Sequence, residues 1–294
     1  MNILHAFEYH APKTISEALD LVADLGEKAK ILAGGTDLMI HLKEDMIQTE
    51  NIIDLNGVEE LKGIQCEAGK GAEIGAMTLI DTIEHSEELK AKYPALAYAA
   101  GELGSVQVRM MATIGGNCCN ASPCAETVPP LSAYGAKVVI RSKKGEREMA
   151  VEDFILGNRS ISLEPDEIVT KFVLPEPKPR SACRYDYIGL RDAMEIDLAN
   201  LAANVTLAED KETIEDIKVV MGSVFYKPLV SKEIPELLKG KKLTDDLLEA
   251  AAQAAQNEAK PISDVRASAE YRKEVIGTLA RRVIKRAYEA AKEA

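Results

Sequence analysis

The sequence lacks tryptophan and has few other aromatic residues, with 9 tyrosines and 4 phenylalanines among 294 residues. Proteins that bind single-stranded nucleic acid stack the bases on aromatic side chains, so this scarcity argues against that function. Positive charge is also in short supply, because 36 lysines and arginines face 48 aspartates and glutamates, for a formal net charge of −12. A chain this acidic is not expected to bind nucleic acid or an anionic membrane surface.

Long hydrophobic runs are absent as well. No stretch approaches the roughly 18–20 apolar residues that cross a bilayer, so we expect no membrane insertion. The N-terminal segment MNILHAFEYHAPK lacks the basic start and apolar core of a signal peptide. The cysteines are odd in number, and three of them crowd one segment, which does not suggest a disulfide framework. A cytoplasmic protein is the simplest prediction.

The length predicts about two domains, and the 46% hydrophobic content is sufficient for packed cores. The N-terminal region has the pattern of a small α/β lobe. Thr14-Ile15-Ser16-Glu17 matches a capping box, in which Thr14 and Glu17 satisfy each other's backbone amides at the start of a helix. The predicted elements are that helix, ending at Gly26, then a strand at 30–33, a helix at 38–42 and a strand at 51–55.

A proline-rich stretch, Pro175-Glu176-Pro177-Lys178-Pro179, is typical of a stiff linker. We place the domain boundary there, with a first domain at 1–176 (lobe one 1–56, lobe two 57–176) and a C-terminal domain at 177–294. Lobe two is predicted to hold strands at 63–67, 72–76, 136–141 and 167–174, a helix at 94–103 and a functional loop at 105–130. The C-terminal domain is predicted to hold strands at 182–190, 198–207 and 213–221 and helices at 245–259 and 268–291.

Paired glycines occur at a predicted strand-to-helix junction in lobe one, within Leu32-Ala33-Gly34-Gly35-Thr36-Asp37-Leu38. Glycines let backbone amides approach an anion without a clash from Cβ, and a helix N-terminus adds favourable partial charge. The Thr36 hydroxyl suits a phosphate oxygen. The pattern also fits a tight turn that binds nothing, and it matches neither the Rossmann nor the P-loop fingerprint.

A second glycine pair lies in lobe two, within Thr113-Ile114-Gly115-Gly116-Asn117, and Ser122 and Glu126 follow it. It repeats the hydroxyl, the glycines and the backbone donors of the first pair. Two such turns from separate lobes predict a diphosphate held between them. Asn117 and Ser122 are candidates to bond phosphate or polyol oxygens, and Glu126 is a candidate acceptor for a sugar or ribityl hydroxyl.

These motifs, in this order, resemble the FAD-binding medium subunit of the molybdenum hydroxylases, the family of xanthine dehydrogenase and carbon monoxide dehydrogenase. The similar segments are AGGTDL, ATIGGN followed by ASP, and the C-terminal PISDVRASAEYRKEVIGTLARR. The resemblance covers essentially the whole chain. It implies an α+β fold, with a two-lobed FAD-binding domain of the vanillyl-alcohol-oxidase (PCMH) type and a smaller C-terminal domain of antiparallel strands plus helices.

The resemblance also implies positions for the cofactor. Residues 33–37 and 113–117 would hold the pyrophosphate of FAD, Ser122 and Glu126 would follow the ribityl and ribose side, and Ile168 and Val169 would lie near the flavin ring. The predicted cofactor-binding residues are Leu32, Ala33, Gly34, Gly35, Thr36, Asp37, Leu38, Ala76, Thr113, Ile114, Gly115, Gly116, Asn117, Ser122, Glu126, Ile168 and Val169. No catalytic side chain and no metal ligand is predicted, since Cys118, Cys119 and Cys124 lack metal-ligand spacing.

Two positions depart from the family pattern. The family usually has aspartate where this chain has Glu126, and often has lysine where this chain has Tyr187, whereas Arg191 is kept. A lysine there would be a cation near the flavin edge. Its replacement leaves open how reduced flavin is stabilised and which acceptor is used. Arg191 has two open interpretations, compensation for that lysine or a surface salt bridge.

By resemblance, the chain is an electron-transfer subunit. Electrons from a molybdopterin large subunit would pass through an iron–sulfur small subunit to FAD here, and FAD would reduce NAD(P)+ or another acceptor. The sequence has no molybdenum-site motif and no ferredoxin-like cysteine pattern, so those functions need other chains. Two alternatives remain: a stand-alone flavin reductase or oxidase of the same fold, and a scaffold subunit whose glycine turns bind nothing.

Overall fold

The computed structural model describes residues 4–191 and 193–294, so residues 1–3 of the predicted first lobe and Asp192 lie outside the described residues. Lobe one is a small α/β unit whose three strands are parallel, in the order β1-β3-β2. Its elements are β1 (Glu8–His10), α1 (Ile15–Leu25), β2 (Ala29–Leu32), α2 (Leu38–Lys43) and β3 (Asn51–Asp54).

The predicted helix cap is confirmed in part. The Thr14 hydroxyl accepts a hydrogen bond from the Glu17 amide at 3.2 Å, as predicted. The Glu17 carboxylate accepts from the Lys13 amide at 2.7 Å, so the expected reciprocal bond to Thr14 is wrong by one residue. Gly26, with φ 52°, ends the helix as predicted.

Lobe two is built on a five-stranded antiparallel sheet in the order β4-β5-β10-β6-β7, and a separate hairpin pairs β8 with β9. Buried side chains from the sheet, such as Ile74 and Phe172, share one core with helical residues such as Leu96 and Leu131. The elements are β4 (Ile64–Glu67), β5 (Gly71–Gly75), α3 (Ile80–His85), α4 (Glu87–Lys92), α5 (Pro94–Glu102), α6 (Val106–Arg109), α7 (Ile114–Asn120), α8 (Val128–Tyr134), β6 (Lys137–Ser142), β7 (Gly145–Ala150), α9 (Val151–Phe154), β8 (Ile155–Gly157), β9 (Ser160–Ile161) and β10 (Ile168–Leu174).

The prediction of a long loop at 105–130 is wrong. This segment contains α6, α7 and the start of α8, with Ser105 and Thr113 capping the first two helices through their hydroxyls. Each helix has seven residues or fewer, so none is long enough to show a helical hydrophobic period in a glycine- and asparagine-rich sequence. Strand β7 was also missed, because its side chains are mostly polar.

The C-terminal unit is a four-stranded antiparallel sheet in the order β11-β12-β13-β14, packed against long helices. Its elements are β11 (Ser181–Ile188), β12 (Ala199–Leu207), β13 (Ile214–Gly222), β14 (Leu229–Val230), α10 (Glu233–Leu238), α11 (Asp245–Glu258) and α12 (Ala269–Glu293). The three predicted strands and both predicted helices are confirmed. None of the described helices combines the length and apolar character required to cross a bilayer.

The C-terminal sheet is buried on both faces. On β12, Leu201 and Val205 belong to the core shared with α11 and α12, whereas Ala202 belongs to the core of lobe two. Tyr185 on β11 joins the lobe-two core as well. This sheet therefore links the C-terminal helices to lobe two. The proposed boundary at 176/177 falls between β10 and β11.

Candidate cofactor-binding site

A cavity of about 850 Å³ is lined by residues of lobe one, of lobe two and of the loop that precedes β12. Its volume lies within the roughly 300–1,000 Å³ typical of small-molecule sites. Nearly all of the predicted cofactor-binding residues line it: Ala33, Gly34, Gly35, Thr36, Asp37, Leu38, Ala76, Thr113, Gly115, Gly116, Asn117, Ser122, Glu126, Ile168 and Val169.

Leu32 and Ile114 are the exceptions and do not line the cavity. Leu32 is the last residue of β2 and lies under the first turn, where a Cβ on Gly35 would approach its Cδ1 to 2.9 Å. Ile114 is fully buried in the core of lobe two. Both side chains pack beside a glycine turn and away from the cavity. Their positions therefore do not favour the prediction that they contact the cofactor.

The first glycine turn has free backbone donors. Within the part of the chain that the structure describes, the amides of Gly34, Gly35 and Thr36 donate no hydrogen bond. Gly35 has φ 72°, a left-handed conformation that favours glycine. The Asn56 side chain donates to the Ala33 carbonyl at 2.9 Å and fixes the start of the turn. An uncommitted run of amides beside a cavity is suited to an anion.

The second glycine turn differs from this expectation. Its amides donate hydrogen bonds within the protein. The Ile114 amide donates to the Thr78 carbonyl at 3.1 Å, the Gly115 amide to the Ala76 carbonyl at 2.8 Å, and the Gly116 amide to the Thr113 hydroxyl at 3.0 Å. The prediction that both turns offer free backbone donors is therefore wrong for the second turn. What this turn contributes is a close approach of backbone to the cavity and the side chain of Asn117.

The four glycines have different roles. A Cβ on Gly34 would lie 2.8 Å from the Cα of Ala112, and a Cβ on Gly115 would lie 2.6 Å from the Ala76 carbonyl oxygen. These two glycines permit contact between backbone segments of the protein itself. A Cβ on Gly116 would meet only the Thr113 hydroxyl at 3.1 Å and the Ala33 methyl at 3.7 Å. The contact with the hydroxyl is tight, but Gly116 is the least crowded of the four glycines, and it lines the cavity.

Glu126 is the most perturbed acid of the cavity wall. Burial raises its pKa well above the usual range, and the carboxylates of Asp197 and Asp37 raise it further, while Asn117 lowers it by hydrogen bonding. Asn117 in turn accepts from the Thr127 hydroxyl at 2.6 Å. Ser122 accepts from the Cys124 amide at 3.2 Å.

Several residues of the wall were missed by sequence reasoning. Glu195 and Ile196, in the loop before β12, bring the C-terminal unit into the cavity. Nothing in the local sequence marks them, because only the packing of the C-terminal sheet on lobe two places them there. Cys119 and Cys124 were named but given no contact, and both line the wall. Burial raises the pKa of the Cys119 thiol to about 12, so it stays protonated.

Other candidate residues lie away from the cavity wall. Arg109, the last residue of α6, pairs with Glu84 at 2.6 Å between Nε and Oε2. The hydroxyl of Tyr187 donates to Glu102 at 2.6 Å, and Tyr187 does not line the cavity. Arg191 is exposed and lies 3.3 Å from the carboxylate of Glu195. Arg191 thus pairs with a largely buried acid of the cavity wall, and its compensation for the missing lysine stays a prediction.

The chain matches two family profiles in tandem. One, described as the FAD binding domain in molybdopterin dehydrogenase, matches residues 5–177. The other, the C-terminal domain of carbon monoxide dehydrogenase flavoprotein, matches residues 185–287.

Known proteins are similar over nearly the whole length. A putative xanthine dehydrogenase FAD-binding subunit of Escherichia coli K12 is 32% identical over 284 residues, 96% of each chain. The carbon monoxide dehydrogenase medium chain of Hydrogenophaga pseudoflava is 32% identical, over 96% of this chain and 97% of that one. A solved structure of carbon monoxide dehydrogenase from Hydrogenophaga pseudoflava superposes with a TM-score of 0.93 at 30% identity, covering 98% of this chain and 99% of that one.

The fold, the tandem profile match and the similarity across the full length agree. FAD is the cofactor of the family, and its members are oxidoreductase subunits. The free amides beside Gly35, the open side of Gly116 and the carboxylate of Glu126 are groups suited to a diphosphate and to sugar hydroxyls. The chain belongs to the family of FAD-binding flavoprotein subunits of the molybdenum hydroxylases.

Proposed function

We propose that this chain binds FAD in the cavity between the glycine turns and acts as the electron-transfer flavoprotein of a multi-subunit molybdenum hydroxylase. Electrons would arrive from iron–sulfur clusters of a small subunit, which takes them from a molybdopterin large subunit. Bound FAD accepts two electrons and passes them on, a redox capacity that side chains lack. The acceptor would be NAD(P)+ or another oxidant. We keep the predicted cytoplasmic location.

The observation that carries this proposal is the meeting of both glycine turns at one cavity wall. The first turn would hold a phosphate through the amides of Gly34, Gly35 and Thr36 and through the Thr36 hydroxyl. The second turn would let the diphosphate approach closely at Gly116. Glu126 would accept hydrogen bonds from hydroxyls of the ribityl or ribose portion, and Ile168 and Val169 would line the ring-binding end.

The stand-alone reductase or oxidase remains the second candidate function. Six carboxylate residues line the cavity, whereas Lys30 is the one lysine and no arginine lines it among the described residues. A nicotinamide dinucleotide carries further phosphate charge, and such a wall gives it few cationic contacts. This charge pattern disfavours a nicotinamide dinucleotide at the cavity in either function, so the partner chains, and not the charge, separate the two candidates.

The cofactor assignment is tested with Gly116→Ala. The new methyl would lie 3.1 Å from the Thr113 hydroxyl, a contact that a small shift of this side chain relieves, so we expect the chain still to fold. The dissociation constant of FAD should rise by about tenfold to a hundredfold through a clash of about 1–3 kcal/mol. Bound FAD is measured by its absorbance after gel filtration. Gly157→Ala is the matched control, because its Cβ would meet the nearest atom, in the Tyr226 ring, at an ordinary 3.5 Å.

Unchanged FAD affinity in Gly116→Ala would contradict the assigned cavity. The subunit role is tested separately by affinity purification of the chain from its source. Small and large partner chains carrying iron–sulfur clusters and molybdopterin support the electron-transfer role. A flavin-loaded chain that purifies alone and turns over NAD(P)H would support the stand-alone enzyme instead.

A further inference from the structure

A buried hydroxyl lies beside the second glycine turn, on the protein side of the cavity wall. Thr127 is fully buried, and its Oγ1 donates a hydrogen bond to Oδ1 of Asn117 at 2.6 Å. Asn117 lines the cavity, whereas Thr127 does not. Among the described residues, this is the one hydrogen bond that the Thr127 hydroxyl forms. The hydroxyl can therefore affect a ligand in the cavity only through Asn117.

The local sequence explains why this hydroxyl is available. Thr127 is the N-cap residue of α8, the position at which a threonine hydroxyl usually accepts a hydrogen bond from the amide two or three residues later. Those two positions are Pro129 and Pro130, and proline has no N–H. The Thr127 side chain accordingly forms no capping bond. The consecutive prolines thus leave the hydroxyl for another partner.

The loop between α7 and α8 brings that partner within reach. Ala121, with a left-handed φ of 49°, ends α7, and its amide donates to the Cys118 carbonyl at 3.1 Å. The Ala125 amide then donates to the Ser122 carbonyl at 3.0 Å. These turns fold the chain back on itself, so the residue ten positions after Asn117 contacts the Asn117 side chain.

The direction of this hydrogen bond fixes the orientation of the Asn117 amide. A carboxamide has an acceptor at Oδ1 and two N–H donors at Nδ2, on opposite sides of one carbon. Because Oδ1 accepts from Thr127, the two donors are turned away from Thr127. The neighbouring Glu126 agrees with this orientation, since the hydrogen bond from Asn117 lowers the pKa of Glu126 and so must come from a donor.

Neutral donors matter in this cavity because cations are scarce in its wall, where Lys30 is the one lysine among the described residues. A diphosphate is stabilised by N–H donors and is repelled by a carbonyl oxygen. We propose, on the basis of the proposed FAD-binding function, that Thr127 is a positioning residue for the cofactor, whose hydroxyl holds the Asn117 amide with Nδ2 towards the diphosphate. Thr127 acts through Asn117 and does not touch FAD.

The test uses Thr127→Val in the full chain. Valine keeps the shape of the side chain and removes the hydroxyl, and no helix cap is lost. We expect the dissociation constant of FAD to rise by about threefold to tenfold, because the Asn117 amide is then free to turn its oxygen towards the diphosphate. Thr127→Ser keeps the hydroxyl, and its dissociation constant should stay within about twofold of the wild type.

Thr170→Val is the matched control. Thr170 is also buried, its hydroxyl donates to the Val139 carbonyl at 3.2 Å, and it does not line the cavity. The same exchange there should leave FAD affinity unchanged. Wild-type affinity in Thr127→Val, an equal loss in Thr170→Val, or a loss in Thr127→Ser as large as that in Thr127→Val would each overturn the proposal.

A double-mutant cycle separates positioning from a general loss of structure. Asn117→Ala should raise the dissociation constant of FAD by about tenfold or more, and adding Thr127→Val should raise it no further, because no amide is left to position. An undiminished effect of Thr127→Val in the Asn117→Ala background would overturn the proposal.

The proposal and the proposed function fail in different ways. A wild-type chain that binds no FAD would refute the cofactor assignment and this proposal with it. A wild-type chain that binds FAD, together with an unaffected Thr127→Val, would refute the positioning role alone. If circular dichroism shows that Thr127→Val is poorly folded, Thr127→Ala removes the same hydroxyl with a smaller side chain and is judged by the same criteria.

Discussion

A Cβ atom built on Gly34 would lie 2.8 Å from the Cα of Ala112, so the first glycine turn is in backbone contact with the segment that leads into the second. Gly34→Ala should therefore separate the two turns. We expect a loss of about 1–3 kcal/mol or more in the free energy of unfolding, together with lower FAD affinity. Chemical denaturation and FAD titration measure the two effects.

The comparison with Gly116→Ala makes this prediction specific. Gly34→Ala should reduce stability in the absence of FAD, because its Cβ would collide with backbone atoms. Gly116→Ala should mainly reduce FAD affinity, because its closest contact in the free chain is a side-chain hydroxyl at 3.1 Å. Equal stability of the free Gly34→Ala variant and the wild type would show that the two backbone segments are not in contact.

Asp197 should make stability depend on pH. Its pKa is raised to about 7 by burial, whereas an unfolded aspartate titrates near about 3.9. Between these values the native state binds more protons than the unfolded state, so the free energy of unfolding should fall as the pH rises, by up to about 1.4 kcal/mol per pH unit.

Asp197→Asn isolates this contribution from those of other groups. The asparagine keeps the hydrogen bond from Tyr185 but cannot ionise, so the variant should gain stability relative to the wild type as the pH goes from about 4 to about 7. Urea denaturation at several pH values measures the difference. A difference that does not change with pH would contradict the raised pKa.

Asp264 and Arg272 should form a pair that matters for stability. The Arg272 side chain is 3% exposed, and Asp264 is its anionic partner. Asp264→Asn leaves a buried cation without that partner, for a loss of about 3 kcal/mol in the free energy of unfolding. Arg266→Met is the control: Arg266 also pairs with Asp264, but it is 33% exposed and should cost under about 1 kcal/mol.

The same aspartate predicts a loss of stability in acid. Burial alone would raise the pKa of Asp264, but hydrogen bonds from the Arg266 amide and the Arg272 side chain outweigh it and lower the pKa well below the usual range. The contribution of Asp264 to the free energy of unfolding is therefore present above about pH 4 and is lost as the pH falls further. Thermal melts at pH 7 and pH 3 should show the Asp264→Asn variant approaching the wild type in acid.

Tyr187 should contribute to stability and not to FAD binding. Its hydroxyl donates to Glu102, and it lies outside the cavity wall. Tyr187→Phe should lower the free energy of unfolding by about 1.5–3 kcal/mol, the range for a hydrogen bond to a charged group. FAD affinity should stay within about twofold of the wild type, well under the 1.4 kcal/mol of a tenfold change. A tenfold loss would place this tyrosine at the flavin.

Local sequence predicted the elements whose signals are local. The cap at Thr14, the stop at Gly26 and the long amphipathic helices of the C-terminal unit depend on neighbours within a few residues. The short helices α6 and α7 could not be predicted, because they are stabilised by caps and by contacts with distant segments such as Thr78 and Ala76. The family resemblance supplied what periodicity could not.

The amino-acid sequence by itself determined the glycine turns, the candidate residues and the family. The tertiary structure decided which glycines pack against backbone, that the amides of Ile114, Gly115 and Gly116 bond within the protein, and that Glu195 and Ile196 complete the wall. The reason is physical: hydrogen-bond satisfaction and packing depend on what lies nearby in space, and Gly34 and Ala112, 78 positions apart in the sequence, come into contact only when the chain is folded.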